Sequence, residues 1–321
     1  MITRLCRFVL CGVILFSGTF TVSAQQNNEQ TDNGADWFNR MAEALTTLNF
    51  EASLVHVHGD QIEPYQWFQG NDSEVGSTEL LIQMNGPDFR ILRVNDRVAH
   101  FNSSATSYSL RSDTITAIFP AAFSEPFERL EHSYQVTVGG GARVLGRNAQ
   151  HIRILSRDNQ RYSYALWIDR KNGMPLKMII LNQSGNIVEQ MQLTSLSVRS
   201  SEPEIIAEIE NIEMPPLLNE LRVEKPTHYA VEPLWAPQGF RLISQENHNL
   251  LVDATPVDHY LFSDGLTEYS VYIAELTPDM ETDLALSSSQ TLFSMRHNGF
   301  LVTVVGQVPL AMAQRIATEV K

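Results

Sequence analysis

From Phe50 to Val198 the chain repeats one pattern: short runs compatible with a strand, each closed by a tight turn signal. His58-Gly59-Asp60, Gly70-Asn71-Asp72, Asn85-Gly86-Pro87, Asn95-Asp96, Lys171-Asn172-Gly173 and Ser184-Gly185-Asn186 supply the signals, with a polar turn over Arg157-Asp158-Asn159-Gln160. A period of two sends alternate side chains to opposite faces of a strand. Connections this short join antiparallel neighbours. Strands are therefore expected near 50–58, 64–69, 79–84, 88–94, 97–102, 107–111, 134–138, 142–145, 149–156, 161–169, 175–182 and 186–198. Gly139-Gly140-Gly141 reads as a loose hairpin tip. Trp37, Met41, Ala44, Leu45 and Leu48 recur at helical spacing behind Asp36, which predicts an amphipathic helix over 37–48 with Asp36 as its N-cap. Pro120 and Pro126 punctuate a short helical passage before Phe127. Residues 36–199 thus read as one large antiparallel sheet with a few helices.

The composition then changes. Residues 200–227 carry glutamates, Pro215-Pro216 and Pro226, and read as a short helix followed by an extended linker. A smaller α+β unit over 228–321 follows, with strands near 239–246, 257–263, 267–275 and 300–306 and a closing helix after Pro309. The fold class is α+β, mainly antiparallel β.

The chain opens with Arg4 and Arg7, an uncharged apolar run from Phe8 to Phe16, and Val22-Ser23-Ala24. This is the tripartite form of a secretory signal peptide over 1–24, with Gln25 as the mature start. Its apolar run is shorter than the roughly 20 residues that span a bilayer. Residues 25–35 read as a disordered mature N-terminus. The only cysteines, Cys6 and Cys11, fall in the leader. The mature chain then has no disulfide, thiol nucleophile or Cys-ligated zinc site.

Formal net charge is −14. It is strongly negative before residue 86 and after residue 199, and mildly positive between. Phosphate repels such a field, so nucleic acid is not an expected partner. A cationic middle section suits a partner with charged segments or an anionic lipid, though the charge also serves solubility.

Few residues suggest chemistry. His56 and His58 point to one face of a strand, as metal ligands do, but spacing identifies no third ligand and a polar outer face explains them; no metal site is assigned. No Gly-x-Ser-x-Gly elbow or phosphate-cradling loop is present, and Ser263-Asp264-Gly265 reads as a turn. The carboxylate pairs Glu208/Glu210 and Glu281/Asp283 lie in hydrophilic connections. No catalytic residue, cofactor or enzyme activity is expected. The aromatic residues Trp67, Phe101, Phe119, Phe123, Phe127 and Trp167 are candidates for an apolar, lipid-sized pocket on a concave sheet face, the alternative being ordinary core.

Several segments resemble the RseB/MucB family, periplasmic negative regulators of the envelope-stress sigma factor. They are Met84-Asn85-Gly86-Pro87, Arg161-Tyr162-Ser163-Tyr164-Ala165-Leu166-Trp167-Ile168-Asp169, Met214-Pro215-Pro216-Leu217-Leu218, Leu234-Trp235-Ala236-Pro237-Gln238-Gly239-Phe240 and Phe262-Ser263-Asp264-Gly265-Leu266. They occur in family order across essentially the whole mature chain. The resemblance implies that the large domain is a LolA/LolB-like half-open β-barrel with helices at its mouth, beside a compact C-terminal domain. It implies binding to the periplasmic part of an anti-sigma factor of the RseA/MucA kind, protection of that partner from proteolysis, and release by a lipidic signal such as a lipopolysaccharide fragment. Arg90, Arg93, Arg143, Arg147 and Arg153 are candidates to meet lipid head groups. Trp235, Gln238, Phe240, Asp264 and Leu266 are the candidate partner-binding residues, since Trp and Phe near turns make good anchors; a structural corner around Gly239 is the alternative. Two other functions remain in view, a periplasmic lipid or lipoprotein carrier and a hydrolase, and a second copy of the chain is a further candidate partner.

Overall fold

The structure is a computed structural model, and it describes residues 33–72, 76–158, 160–209, 212–218, 226–249, 256–277, 284–287 and 290–321. The expected leader, residues 25–32 of the stretch over 25–35, and Glu210, Glu281 and Asp283 lie outside the described residues. Among the described residues no helix is long and apolar enough to cross a membrane.

The first helix, α1 (Gly34–Thr47), starts earlier than expected. Its N-cap is Asn33, whose Oδ1 accepts from Asp36 N at 3.0 Å, while Asp36 Oδ2 accepts from Asn33 N at 2.8 Å. Asp36 is therefore the reciprocal partner in a capping box and not the cap itself. The helix buries Trp37, Phe38, Met41 and Leu45.

Two antiparallel meanders follow. The first comprises β1 (Asn49–His58), β2 (Gln61–Asp72), β3 (Gly76–Gln83), β4 (Phe89–Val94), β5 (Arg97–Asn102) and β6 (Tyr108–Arg111). The second comprises β7 (Tyr134–Val144), β8 (Arg147–Ser156), β9 (Ser163–Asp169), β10 (Pro175–Leu181) and β11 (Ile187–Arg199). They join where β1 pairs β11, from Asn49 opposite Arg199 to His58 opposite Glu189, giving one 11-stranded sheet with β6 and β7 outermost. Laid flat, strands about 4.8 Å apart would make a ribbon some 50 Å wide. Yet a single apolar cluster takes Val98 from β5, Leu81 from β3, Leu54 from β1, Met178 from β10 and Tyr134 from β7, together with Phe38 of α1. Only a sheet curled around α1 and the 115–130 segment brings these side chains together.

The Gly139-Gly140-Gly141 run is not a hairpin tip. It lies inside β7, where the register against β8 shifts between Val138 and Gly141, so the glycines form a bulge. The turn falls instead at Leu145-Gly146, both with positive φ (53° and 71°), as a tight hairpin of right-twisted strands requires.

The segment after β11 packs back on the sheet. α2 (Glu204–Ile209) sets Ile206 against Phe68, Leu80 and Leu92 on the convex face. Pro215 and Pro216 then line the β6 edge, where Ser109 N donates to Pro216 O at 2.8 Å. The edge strand is thus partly covered by the chain's own backbone.

The remaining strands, β12 (Arg241–Asn249), β13 (Pro256–Ser263), β14 (Glu268–Glu275), β15 (Leu284–Ser287), β16 (Thr291–His297) and β17 (Phe300–Gly306), form a 6-stranded sheet in the order β12-β13-β14-β17-β16-β15. A closing helix, α3 (Leu310–Thr318), places Met312, Ala313, Ile316 and Ala317 against Val271, Ile273, Val302 and Val304. Neither β15 nor β16 is anticipated from the sequence. All four residues of β15 are exposed, so it carries no alternation to read.

Candidate functional site

The concave face of the large sheet carries a chain of aromatic contacts. Phe50 meets Trp67 edge-on at 4.6 Å, Trp67 meets Phe119 at 5.7 Å, Phe119 meets Phe123 at 6.0 Å, and Phe38 touches Phe123 and Phe127 at 5.6 and 5.4 Å. Trp67, Phe119, Phe123 and Phe127 are therefore brought together. Phe101 and Trp167 are not. Strand pleating sends Phe101 to the face opposite Val98, against the α2 cluster. Trp167 alternates with the inward Leu166 and Ile168, and its ring stacks on His151 at 4.7 Å with Lys177 Nζ 5.2 Å away, touching the main cluster only as a partly buried neighbour. Neither residue joins the aromatic chain.

Beside the aromatic chain opens a cleft of about 870 Å³, lined by Trp67, Glu79, Arg93, Phe119, Leu130 and Gly265 among others. That volume is in the range that holds small organic ligands. Phe123 and Phe127 stand behind its wall as packed core, 0% and 6% exposed. One wall is polar by construction. Trp67 Nε1 donates to Glu79 Oε1 at 2.7 Å, and Arg93 Nε donates to Glu79 Oε2 at 3.0 Å. Burial raises the Glu79 pKa, and the Arg93 charge opposes that only in part. Arg93 is thus committed to Glu79 and is not free to meet a head group. Arg147 is likewise held by Asp169 at 2.6 Å and Arg90 by Asp88 at 2.5 Å.

The small sheet reaches this cleft through two of its turns. Asp264 is the pivot. Its Oδ1 accepts the N–H groups of Leu266 and Thr267 at 3.0 and 2.8 Å, which closes its own turn. Its Oδ2 accepts the Tyr134 hydroxyl of the large sheet at 2.8 Å and lies 3.4 Å from Arg161 Nη1. Arg161 also donates to the Gln238 carbonyl and sits 5.0 Å from the Phe240 ring centre. Tyr164 and Thr267 hydroxyls are 3.4 Å apart. Leu266 leaves the small sheet's core altogether and joins that of the large one. Burial, reinforced by Asp264, raises the Tyr134 pKa well above that of an ordinary phenol, so Tyr134 is a donor at every physiological pH.

Of the candidate partner-binding residues, Phe240, Asp264 and Leu266 are therefore buried within the chain, 8%, 6% and 4% exposed, while Gln238 lends only its backbone carbonyl and stays exposed. Trp235 packs on the small unit, with the Arg315 guanidinium 3.9 Å from its ring. No local motif marks Glu79, Tyr134 or Arg161 for these roles. The available signal is a charge embedded in a strand-length apolar run, as in Thr78-Glu79-Leu80-Leu81 and Ile91-Leu92-Arg93-Val94.

Two family models match in succession: the MucB/RseB N-terminal domain over residues 33–218 and the MucB/RseB C-terminal domain over residues 224–321. The sigma-E factor regulatory protein RseB of Escherichia coli K12 is 26% identical over 308 residues, covering 96% of both chains. The sigma factor AlgU regulatory protein MucB of Pseudomonas aeruginosa is 29% identical over 300 residues, covering 91% of this chain and 92% of its own. Among solved structures, the MucA/MucB complex of Pseudomonas aeruginosa superposes with a TM-score of 0.72 at 27% identity, covering 90% of this chain and 98% of that one. MucB in complex with MucA(peri) gives the same TM-score at 26% identity.

Proposed function

The chain belongs to the MucB/RseB family of sigma-factor regulatory proteins, and from that premise we propose that it is exported through its N-terminal leader, holds the periplasmic segment of a membrane anti-sigma factor of the MucA/RseA kind, and shields that segment from proteolysis. A lipidic signal then releases it. The observation that carries this reading is the match of both units, over nearly their whole length, to a relative crystallised together with MucA. The cleft beside Trp67 and Phe119 supports a lipidic signal, because its volume suits an acyl chain and its walls are partly aromatic. Gln238, Phe240, Asp264 and Leu266 are proposed to serve the partner through the junction they form, by fixing the small sheet where the partner meets both units, and Trp235, packed on the small unit, is proposed as a direct contact.

The second reading, a periplasmic lipid or lipoprotein carrier, is favoured by the cleft alone. The small sheet weighs against it, since a carrier of one lipid has no use for a second unit docked by a buried ion pair. One experiment separates the two. The mature chain is mixed with the periplasmic segment of the anti-sigma factor from the same organism, and the segment is then exposed to protease with and without a lipopolysaccharide fragment. The regulator co-purifies with the segment, slows its cleavage, and loses that protection when the fragment is added. A chain that emerges with bound lipid and ignores the segment is the carrier.

A further inference from the structure

The concave face of β1 changes character at its end. Phe50, Ala52 and Leu54 are buried in the apolar core, and the next two residues on the same face are His56 and His58. These histidines do not lie on a polar outer face. The strands on either side bring carboxylates to meet them: Glu63 of β2 sits directly opposite His56, and Glu189 of β11 directly opposite His58. The rings are 5.1 Å apart, His58 Nε2 is 3.3 Å from Glu63 Oε2, and His56 Nε2 is 2.8 Å from Glu189 Oε1. One ligating atom from each of His56, His58 and Glu63 lies within 4.8 Å of the others. Carboxylate and imidazole are combined here without a lysine or arginine bridged to Glu63 or Glu189 among the described ion pairs. Two carboxylates and two imidazoles thus gather at the end of an otherwise apolar face, a donor set that a cation of matching ligand preference would satisfy.

We propose that His56, His58 and Glu63 form a binding site for a divalent transition metal ion, zinc first among them. Two imidazoles and one carboxylate are the ligand set of an open zinc site, with solvent in the fourth position. The three atoms, within 4.8 Å of one another, need only side-chain rotation to draw in around bonds of roughly 2.0–2.2 Å. The supporting shell is already built. Tyr65 donates its hydroxyl to Glu63 Oε2 at 3.0 Å, and Glu189 holds His56 in orientation. Gln307, from the end of β17, donates to Glu189 Oε2 at 3.3 Å, so the small sheet touches the same network. The site opens on a second cleft of about 620 Å³, shared by Ile118, Leu266 and Gln307, through which an ion enters.

The test uses the mature, untagged full chain, stripped by chelator and titrated with zinc against a chromophoric competitor. Cobalt serves as a spectroscopic probe of coordination and magnesium as a control. The proposal expects one equivalent of zinc at micromolar affinity or tighter, a tetrahedral cobalt spectrum, and no magnesium binding. His58→Gln and Glu63→Gln, both at side chains about 29% and 28% exposed, fold normally by circular dichroism and weaken zinc binding at least tenfold. Glu189→Gln weakens it about 10- to 100-fold, the usual effect of losing an orienting partner. The chain with both His56→Ala and His58→Ala takes up none; should that chain fail to fold, the two conservative variants decide. Absence of stoichiometric zinc uptake, or uptake unchanged by His58→Gln and Glu63→Gln, overturns the assignment.

Discussion

Replacing Asp264 by alanine probes the junction most directly. The side chain is fully buried in its ion pair with Arg161 and accepts the Tyr134 hydroxyl and the N–H groups of Leu266 and Thr267. Alanine strands all of these donors. Removing one partner of a buried ion pair costs about 3–5 kcal/mol, and each orphaned buried donor adds about 1–3 kcal/mol. Asp158, 3.2 Å from Arg161 and partly exposed, keeps some counter-charge near the guanidinium. The expected loss is therefore at least about 4 kcal/mol, a large share of the roughly 5–15 kcal/mol that stabilises a folded protein. The assay is urea unfolding followed by circular dichroism and by tryptophan fluorescence. With a urea slope of about 1–3 kcal/mol per molar, the midpoint falls by more than 1 M. Arg161→Met combined with Asp264→Leu removes both charges, and should cost clearly less than the two single changes added together. A loss under about 1 kcal/mol for Asp264→Ala, or strict additivity in the pair, would refute the view that this ion pair holds the two sheets together.

Two further outcomes test the same reasoning elsewhere. Gly239 has φ of +91°, and any side chain there would run into Ser133 and His132 of the large unit; Gly239→Ala should cost about 2–4 kcal/mol in urea unfolding from strain and overpacking together, and a neutral result would mean the contact yields easily. His100 and His151 have pKa values lowered from 6.5, both chiefly by burial, with Arg153 adding to the effect at His151. The unfolded chain therefore takes up protons first as pH falls through about 6.5, and stability drops from there until the folded histidines also protonate. His100→Gln and His151→Gln should each lose less stability than the parent between about pH 7.5 and 5.5, as read by thermal midpoint; an unchanged loss would show that burial there does not depress the imidazoles.

The strands were legible because their signals are local. Alternation in Phe50-Glu51-Ala52-Ser53-Leu54 and the turn at Lys171-Asn172-Gly173 depend only on neighbouring residues, and both stand where the sequence places them. Other local patterns admit two structures each. A triple glycine serves a turn or a bulge equally well, and an Asn-x-x-Asp pair leaves open which member caps the helix. β15 was invisible because an exposed edge strand needs no apolar alternation.

By itself, the sequence determined the mainly antiparallel architecture, the second sheet with its closing helix, and the family, since periodicity, turn sterics and ordered motifs are written along the chain. It left undecided which face each aromatic takes and what Asp264 and Arg161 hold. Only the curled sheet decided that Trp67 and Phe119 share a hollow that Trp167 does not, and that Glu189 comes to His56 from 133 residues away. The physical reason is pairing: β1 lies between β2 and β11, and no local pattern in β1 specifies a neighbour so distant along the chain.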